Sequence, residues 1–424
     1  MIRRKHKMNI GMIGLGKLGM DAAEVFATKN TVYGYDIYPR KSDTVNVCET
    51  VEDCVNKSDW IFIAVETPHS KEYDGSVPSA HLKPKDFNYD VVKSVLTQIN
   101  KYATADKNIV LISTVLPGTT RREFDNLLDN HTLIYNPYLI AMGTVKWDMI
   151  NPEMLIIGSK DGHDPRVTEL ILMYEEIMEN NPRYECGTWE EAESIKIFYN
   201  TYISAKVGIV NMIQDFAMKI GHMNVDVVTG AMAHSDIRLQ SPKYMTAGMG
   251  DSGACHPRDN IALRWLAEEY DLGYDMFSTI MGAREVQAKN MANFLVDQAK
   301  PRNLPVVIHG KAYKPDIEYC IGSYSTLIGH YVTEAGAVVK YLDPLADDQA
   351  DVVSTLDSPA VVLLAHNRKI TYGYVTEHSD SDLADNFYTD IPEGSIIVDP
   401  WRKMNINSDK YTVIYYGDTR NIEG

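Results

Sequence analysis

Cysteine is scarce in this chain. Its 424 residues hold five, Cys48, Cys54, Cys186, Cys255 and Cys320, an odd number, widely spread and with no CxxC pair. That usage excludes a disulfide framework, offers no metal site, and fits reduced thiols in a cytoplasmic compartment. Positive charge is also short, with 41 Lys and Arg against 58 Asp and Glu and a formal net charge of −17. Nucleic acid and anionic membranes are therefore poor partners, and an anionic substrate must be held by a few placed Lys, Arg and backbone N–H groups. Long apolar runs are missing too. Stretches such as AVVLLA at 360–365 are far too short to cross a bilayer. The basic start MIRRKHKMN runs straight into strand-like sequence, which argues against a signal peptide or anchor and leaves Met8 as an alternative start.

What is present is a rhythm of short apolar strands and helical patterns in a chain too long for one ordinary core. The block 8–188 offers strands at NIGMIG, TVYGYD, WIFIAV, NIVLIST, TLIYN and EMLIIG. This punctuation implies βαβ units and a mostly parallel, doubly wound sheet. Residues 66–85, rich in Pro, Ser and charge, read as a surface loop near the ligand mouth. The block 189–300 reads as helical almost throughout. Ile195, Phe198, Tyr202, Ala205, Ile209, Met212 and Phe216 recur at three and four residues, so this helix needs a partner, either its own core or a second subunit. After PRNLP the block 301–424 repeats the strand rhythm with PVVIHG, VVKYLDP, AVVLLAH, SIIVDP and TVIYYG. The expected fold is α/β, with two Rossmann-like doubly wound domains joined by a central helical domain with a long helix.

GLGKLG at 14–19 follows the first strand and opens a helix, which matches G-x-G-x-x-G in its required context. Gly14, Gly16 and Gly19 permit a tight turn and close approach of a pyrophosphate to the helix start, beside Lys17 and Leu18. Asp36 ends the next strand, where a carboxylate accepts hydrogen bonds from the adenosine ribose hydroxyls and selects NAD over NADP, with Arg40 close behind. Cys255 ends the glycine-rich run GMGDSGAC and starts a helical stretch, with Asp259 four residues on. A helix N-terminus favours a thiolate, so Cys255 reads as a nucleophile or as a small buried hydrophobe. Lys206 reads as a functional ammonium or a solvated flank, and Asn211 as a polar ligand or a core amide.

With these residues in hand, the chain resembles the UDP-glucose/GDP-mannose dehydrogenase family over nearly its full length. GLGKLG, STVLPGTT at 113–120, the helix at 191–211, GMGDSGACHPRD and GKAYKPD at 310–316 carry the resemblance in order. It implies NAD in the first domain, a nucleotide sugar between the central helices and the third domain, and a homodimer built on the central helices. The implied reaction is a four-electron oxidation of a sugar C6 alcohol to a carboxylate through a thiohemiacetal and a thioester on Cys255. Lys206 and Asn211 would stabilise the oxyanion, and Asp259 would help to activate water. Thr67, Pro68 and Thr114 would line the nicotinamide half of the cofactor site. Tyr138, Asn200, Tyr244, Gly248 and Gly250 would meet the substrate, Lys314 and Arg402 would hold its nucleotide end, and Arg238 would reach into a neighbouring subunit. UDP-glucose is the first substrate choice, with GDP-mannose and N-acetylated hexosamine forms open.

Two departures qualify this. Tyr138 and Met142 stand where the family carries glutamates, and Glu153 in NPEML matches a later segment, so it is not read as the missing base. A two-electron hydroxyacid-type dehydrogenase and an inactive nucleotide-sugar-binding protein are the rival readings.

Overall fold

The computed structural model describes residues 7–68, 78, 81–83, 85–140, 143–241, 246–251, 253, 255–315, 317–366, 391–402 and 410–419. The chain divides into two compact units, Met1–Lys206 and Val207–Gly424, each taken by itself below. Most of the expected loop at 66–85 lies outside the described residues.

The first unit opens with β1 (Asn9–Ile13), α1 (Lys17–Ala27), β2 (Thr31–Tyr35), β3 (Asn46–Val47), α2 (Val51–Asn56) and β4 (Trp60–Ile63). It continues with α3 (Asp90–Tyr102), β5 (Asn108–Leu111), β6 (Thr132–Tyr135), α4 (Val145–Ile150), β7 (Met154–Ser159), α5 (Arg166–Glu175), β8 (Arg183–Thr188) and the start of the long α6 (Trp189–Ile220), whose residues from Val207 belong to the second unit. The eight strands lie in the order β3-β2-β1-β4-β5-β6-β7-β8. All pairs are parallel except β6 with β7, which meet antiparallel at Tyr135 and Gly158. WIFI of β4 is buried at every position, because helices cover both faces of a parallel sheet. Phe26, Phe62, Val110 and Ile134 fill one face, and Ile61, Ile63, Leu96, Ile109 and Leu111 fill the other. Strand order reverses between β1 and β4, and in such sheets ligands bind in the crevice outside the carboxyl ends at that switch point.

The second unit adds α7 (Val225–Ala233), α8 (Cys255–Glu269), α9 (Phe277–Ala299), β9 (Val306–His309), α10 (Tyr324–Glu334), β10 (Val339–Leu342), β11 (Val361–Leu364), β12 (Ile396–Asp399) and β13 (Thr412–Tyr415). Its sheet is wholly parallel in the order β10-β9-β11-β12-β13. This is a second doubly wound sheet, with its switch point between β9 and β11. Ala288, Met291 and Leu295 of α9 pack with Ile328 and Val332 of α10 on Val306 and Ile308.

The α/β expectation therefore holds in both sheets. Helix α6 divides its apolar stripe between two fates. Met212 and Phe216 are buried against Ala267 of α8, while Phe198 and Tyr202 are 65% and 52% exposed. No helix of the described residues is long and apolar enough to cross a membrane.

Candidate functional site

A cavity of about 950 Å3 opens at the β1/β4 switch point, lined by Gly14, Gly16, Lys17, Leu18, Asp36, Arg40, Thr67 and Thr114 among others. Gly14, with φ of +95°, turns the chain from β1 into α1 in a conformation few side chains adopt. A Cβ on Gly16 would meet nothing within 4 Å, so the helix start faces open space. That cradle, with backbone N–H groups at the N-terminus of α1, suits a pyrophosphate. The Asp36 carboxylate accepts from Leu15 N at 2.7 Å and Tyr38 N at 2.8 Å, with Arg40 Nε 3.5 Å away. Lone pairs remain on both oxygens for ribose hydroxyls. Thr67 Oγ1 donates to Thr114 O at 2.7 Å and Ser113 Oγ to Val65 O at 2.5 Å, which ties together the loops after β4 and β5. Gly19 works differently from expectation, because its missing Cβ lets α1 pack on Gly14 O. Pro68 is exposed beyond the cavity lining.

A second cavity of about 450 Å3 adjoins the first, and Ile140 and Lys196 line both. Lys196 on α6 donates its Nζ to Tyr138 O at 2.8 Å, and burial lowers its pKa. Asn200, one turn further, lines the second cavity with Glu153 and Tyr199, whose hydroxyl donates to Glu153 Oε2 at 2.7 Å. Lys196, which lines both cavities, is a candidate that the sequence reading did not single out. Its signal was available, since Glu193, Lys196 and Asn200 place three polar residues on one face of the helix.

Tyr138 corrects one expectation. Its ring turns into the core, where its hydroxyl meets that of Tyr174 at 2.7 Å and Tyr174 donates to Asn136 Oδ1 at 2.5 Å. Burial pushes both phenols well above their ordinary pKa, so neither is a base. A large aromatic at that position is drawn to apolar neighbours, while the Tyr138 carbonyl accepts from Lys196. Tyr244 and Met142 lie outside the described residues.

In the second unit Cys255 is the first residue of α8, and its thiol is exposed. Cys186 is exposed as well, while Cys48, Cys54 and Cys320 are buried. Asp259 stands one turn along α8 and pairs with Arg258 at 2.8 Å. The glycine run before Cys255 is anchored from three sides. Arg284 of α9 pairs with Asp251 at 2.6 Å and lies over the Tyr324 ring at 5.3 Å. Gly253 N donates to Gly322 O at 3.1 Å, and Arg402 Nη2 donates to Ala247 O at 2.7 Å. Arg402 also donates to Pro400 O at 2.5 Å and Tyr416 O at 2.8 Å. The Arg402 guanidinium thus fastens the loop. Gly248 packs on the Trp401 ring and Gly250 on Tyr324, each too closely to admit a Cβ. Lys206, Asn211 and Arg238 are exposed. Lys314, also exposed, stands 5.3 Å over the Tyr313 ring in the loop after β9.

The second switch point repeats the first in outline. Gly310 follows β9 with φ of +106°, and the Asp343 carboxylate, after β10, accepts from Lys311 N and Ala312 N at 2.9 Å each. Here the His366 ring sits against Gly310 and bonds Ala312 O at 2.9 Å. The buried Lys311 ammonium reaches Asp348 Oδ2 at 2.8 Å and the carbonyls of Asp348 and Ala350.

The sequence matches the NAD binding domain of the UDP-glucose/GDP-mannose dehydrogenase family over residues 39–178 and the central domain of that family over residues 190–285, together more than half of the chain. It is 25% identical over 312 residues to a UDP-glucose 6-dehydrogenase of Rhizobium meliloti, covering 72% of this chain and 68% of that protein. A UDP-glucose 6-dehydrogenase of Bacillus subtilis is 24% identical over 357 residues, covering 81% of this chain and 73% of its own length. In fold the chain is similar to a GDP-mannose dehydrogenase from Pseudomonas aeruginosa, with a TM-score of 0.75 at 19% identity over 96% of this chain and 99% of that one.

Proposed function

The chain belongs to the UDP-glucose/GDP-mannose dehydrogenase family of NAD-dependent oxidoreductases, and from that premise we propose that it oxidises the C6 alcohol of UDP-glucose to the carboxylate with Cys255 as covalent anchor. The observation that carries this reading is the exposed thiol at the first residue of α8, on a loop pinned by Arg284 and Arg402. A preorganised thiol at a helix N-terminus suits nucleophilic attack.

NAD supplies a hydride acceptor in each of two oxidations. Gly14, Gly16 and the start of α1 bind its pyrophosphate, and Asp36 its adenosine ribose. Lys196, not the exposed Lys206, holds the developing C6 alkoxide, because its half-buried side chain lies in the wall shared by the two cavities. Asn200 orients the sugar. The Cys255 sulfur adds to the C6 aldehyde to form a thiohemiacetal, a second hydride leaves C6, and the resulting thioester is cleaved by water. Asp259 takes the proton of that water, and the thiol is released. The exposed apolar residues of α6, Phe198, Tyr202 and Ile203, are the seam of a homodimer, to which Arg238 adds a contact.

The test counts NADH per sugar. Two NADH for each UDP-glucose consumed, a Cys255 adduct by intact mass, and less than about one hundredth of the turnover in Cys255→Ala are expected. One NADH per sugar, or full activity in Cys255→Ala, overturns the thioester route in favour of a two-electron dehydrogenase.

A further inference from the structure

Glu193 of α6 is fully buried, with 0% exposure, and it touches neither cavity. Its Oε2 accepts from Gly118 N at 2.6 Å and its Oε1 from Thr120 N at 2.7 Å. Both N–H groups belong to the turn that ends STVLPGTT, where Gly118 takes φ of +83° and Thr120 begins a single π-helical turn, Thr120–Phe124. A Cβ on Gly118 would meet nothing, so the glycine is there for its backbone angle. Charge-assisted bonds from one carboxylate to two backbone donors are strong and directional in a buried setting.

The placement matters for what lies at either end. Upstream in the same loop, Ser113 and Thr114 line the large cavity and are bonded to the loop after β4. Downstream on the same face of α6, Lys196 holds Tyr138 O at 2.8 Å and Asn200 lines the second cavity. A second tie runs outside, where Arg121 pairs with Glu190 at 2.5 Å and lies over the Trp189 ring at 5.2 Å. We propose that Glu193 is a positioning residue that sets the nicotinamide-side loop 113–120 against the face of α6 carrying Lys196 and Asn200. Hydride transfer depends on it, and dinucleotide affinity does not. Only the turnover part of its test rests on the dehydrogenase reading.

The experiment uses the full chain and two variants. Glu193→Gln keeps the shape but offers one acceptor oxygen for two N–H groups, and Glu193→Asp is too short to reach both. In the substrate-free arm, NADH is titrated while its nicotinamide fluorescence is followed. The dissociation constant should stay within about threefold, while the emission change on binding falls by about half or more. In the turnover arm, UDP-glucose deuterated at C6 is the probe. Here kcat should fall about tenfold or more, with KM for NAD within about threefold and a larger deuterium isotope effect, as expected when near-attack geometry is lost. Folded Glu193→Gln with unchanged emission and kcat overturns the proposal. So does NADH affinity that falls in parallel with kcat, which is the mark of a merely structural role. If Glu193→Gln does not fold, Glu193→Asp decides by the same readouts. Absence of UDP-glucose turnover in the unaltered protein sinks the substrate reading, and the fluorescence arm still decides the role of Glu193.

Discussion

Gly14 and Gly310 occupy the same place in their two sheets and meet different surroundings. Each follows the first strand of a doubly wound unit with positive φ, and in each unit a carboxylate beyond the second strand accepts the N–H of the next residue. Around Gly14 the crevice stays open, at about 950 Å3. Around Gly310 it is stopped by the protein's own His366 ring and by a lysine paired to Asp348. Topology supplies a place where a ligand fits. Side-chain choice then decides whether the place is a site or a piece of core.

Four substitutions break or sharpen that contrast. The largest effect is expected from Gly310→Ala, whose Cβ would lie 2.5 Å from the His366 ring at φ of +106°. It should cost about 3 kcal/mol or more in thermal or urea unfolding of the second unit. Gly16→Ala meets no protein atom, so it should stay within about 1 kcal/mol of wild-type stability and weaken NADH binding about tenfold or more. Next come the acids. Asp343→Ala leaves two buried N–H groups unpaired and should cost about 2 kcal/mol in the same unfolding assay. Asp36→Ala should show mainly as about tenfold weaker NADH binding by titration.

The smallest effect concerns two lysines, the buried Lys311 and the half-buried Lys196. Lys311 has a carboxylate partner, whereas Lys196 bonds the Tyr138 carbonyl, and burial depresses its pKa. With the folded pKa below the unfolded one, the unfolded chain binds the extra proton, so the stability contribution rises with pH through that window. The Lys196 ammonium is lost at lower pH than for a solvated lysine. Lys196→Arg, charged throughout, should move the alkaline limb of a kcat–pH profile upward. An unmoved limb would remove Lys196 from the chemistry.

Most of the fold was legible because buried parallel strands are largely apolar runs, as VVIH of β9, VVLL of β11 and IIVD of β12 are in the second sheet. The two strands missed in the first sheet lack that signal. Asn46–Val47 is two residues long and exposed, and RYECGT of β8 is an edge strand with polar positions throughout. The cofactor turn was legible because its glycines, strand, helix and acid fall in a fixed local order. Lys196 was missed because a lysine within an apolar helical stretch reads as a flank until its neighbours at three and four residues are counted together. The inward turn of Tyr138 depends on Tyr174, a partner 36 residues away, which no local pattern announces.

The sorting of the five thiols has a practical consequence for spectroscopy. Three are sealed in the interior, and of the two on the surface Cys186 has its pKa raised by burial and the adjacent Glu185. That rise slows reaction of Cys186 with an alkylating reagent near neutral pH. A Cys186→Ser protein carries one exposed thiol, at the first residue of α8. A fluorophore or spin label attached there would track the anchored glycine loop alone, without an engineered cysteine-free background.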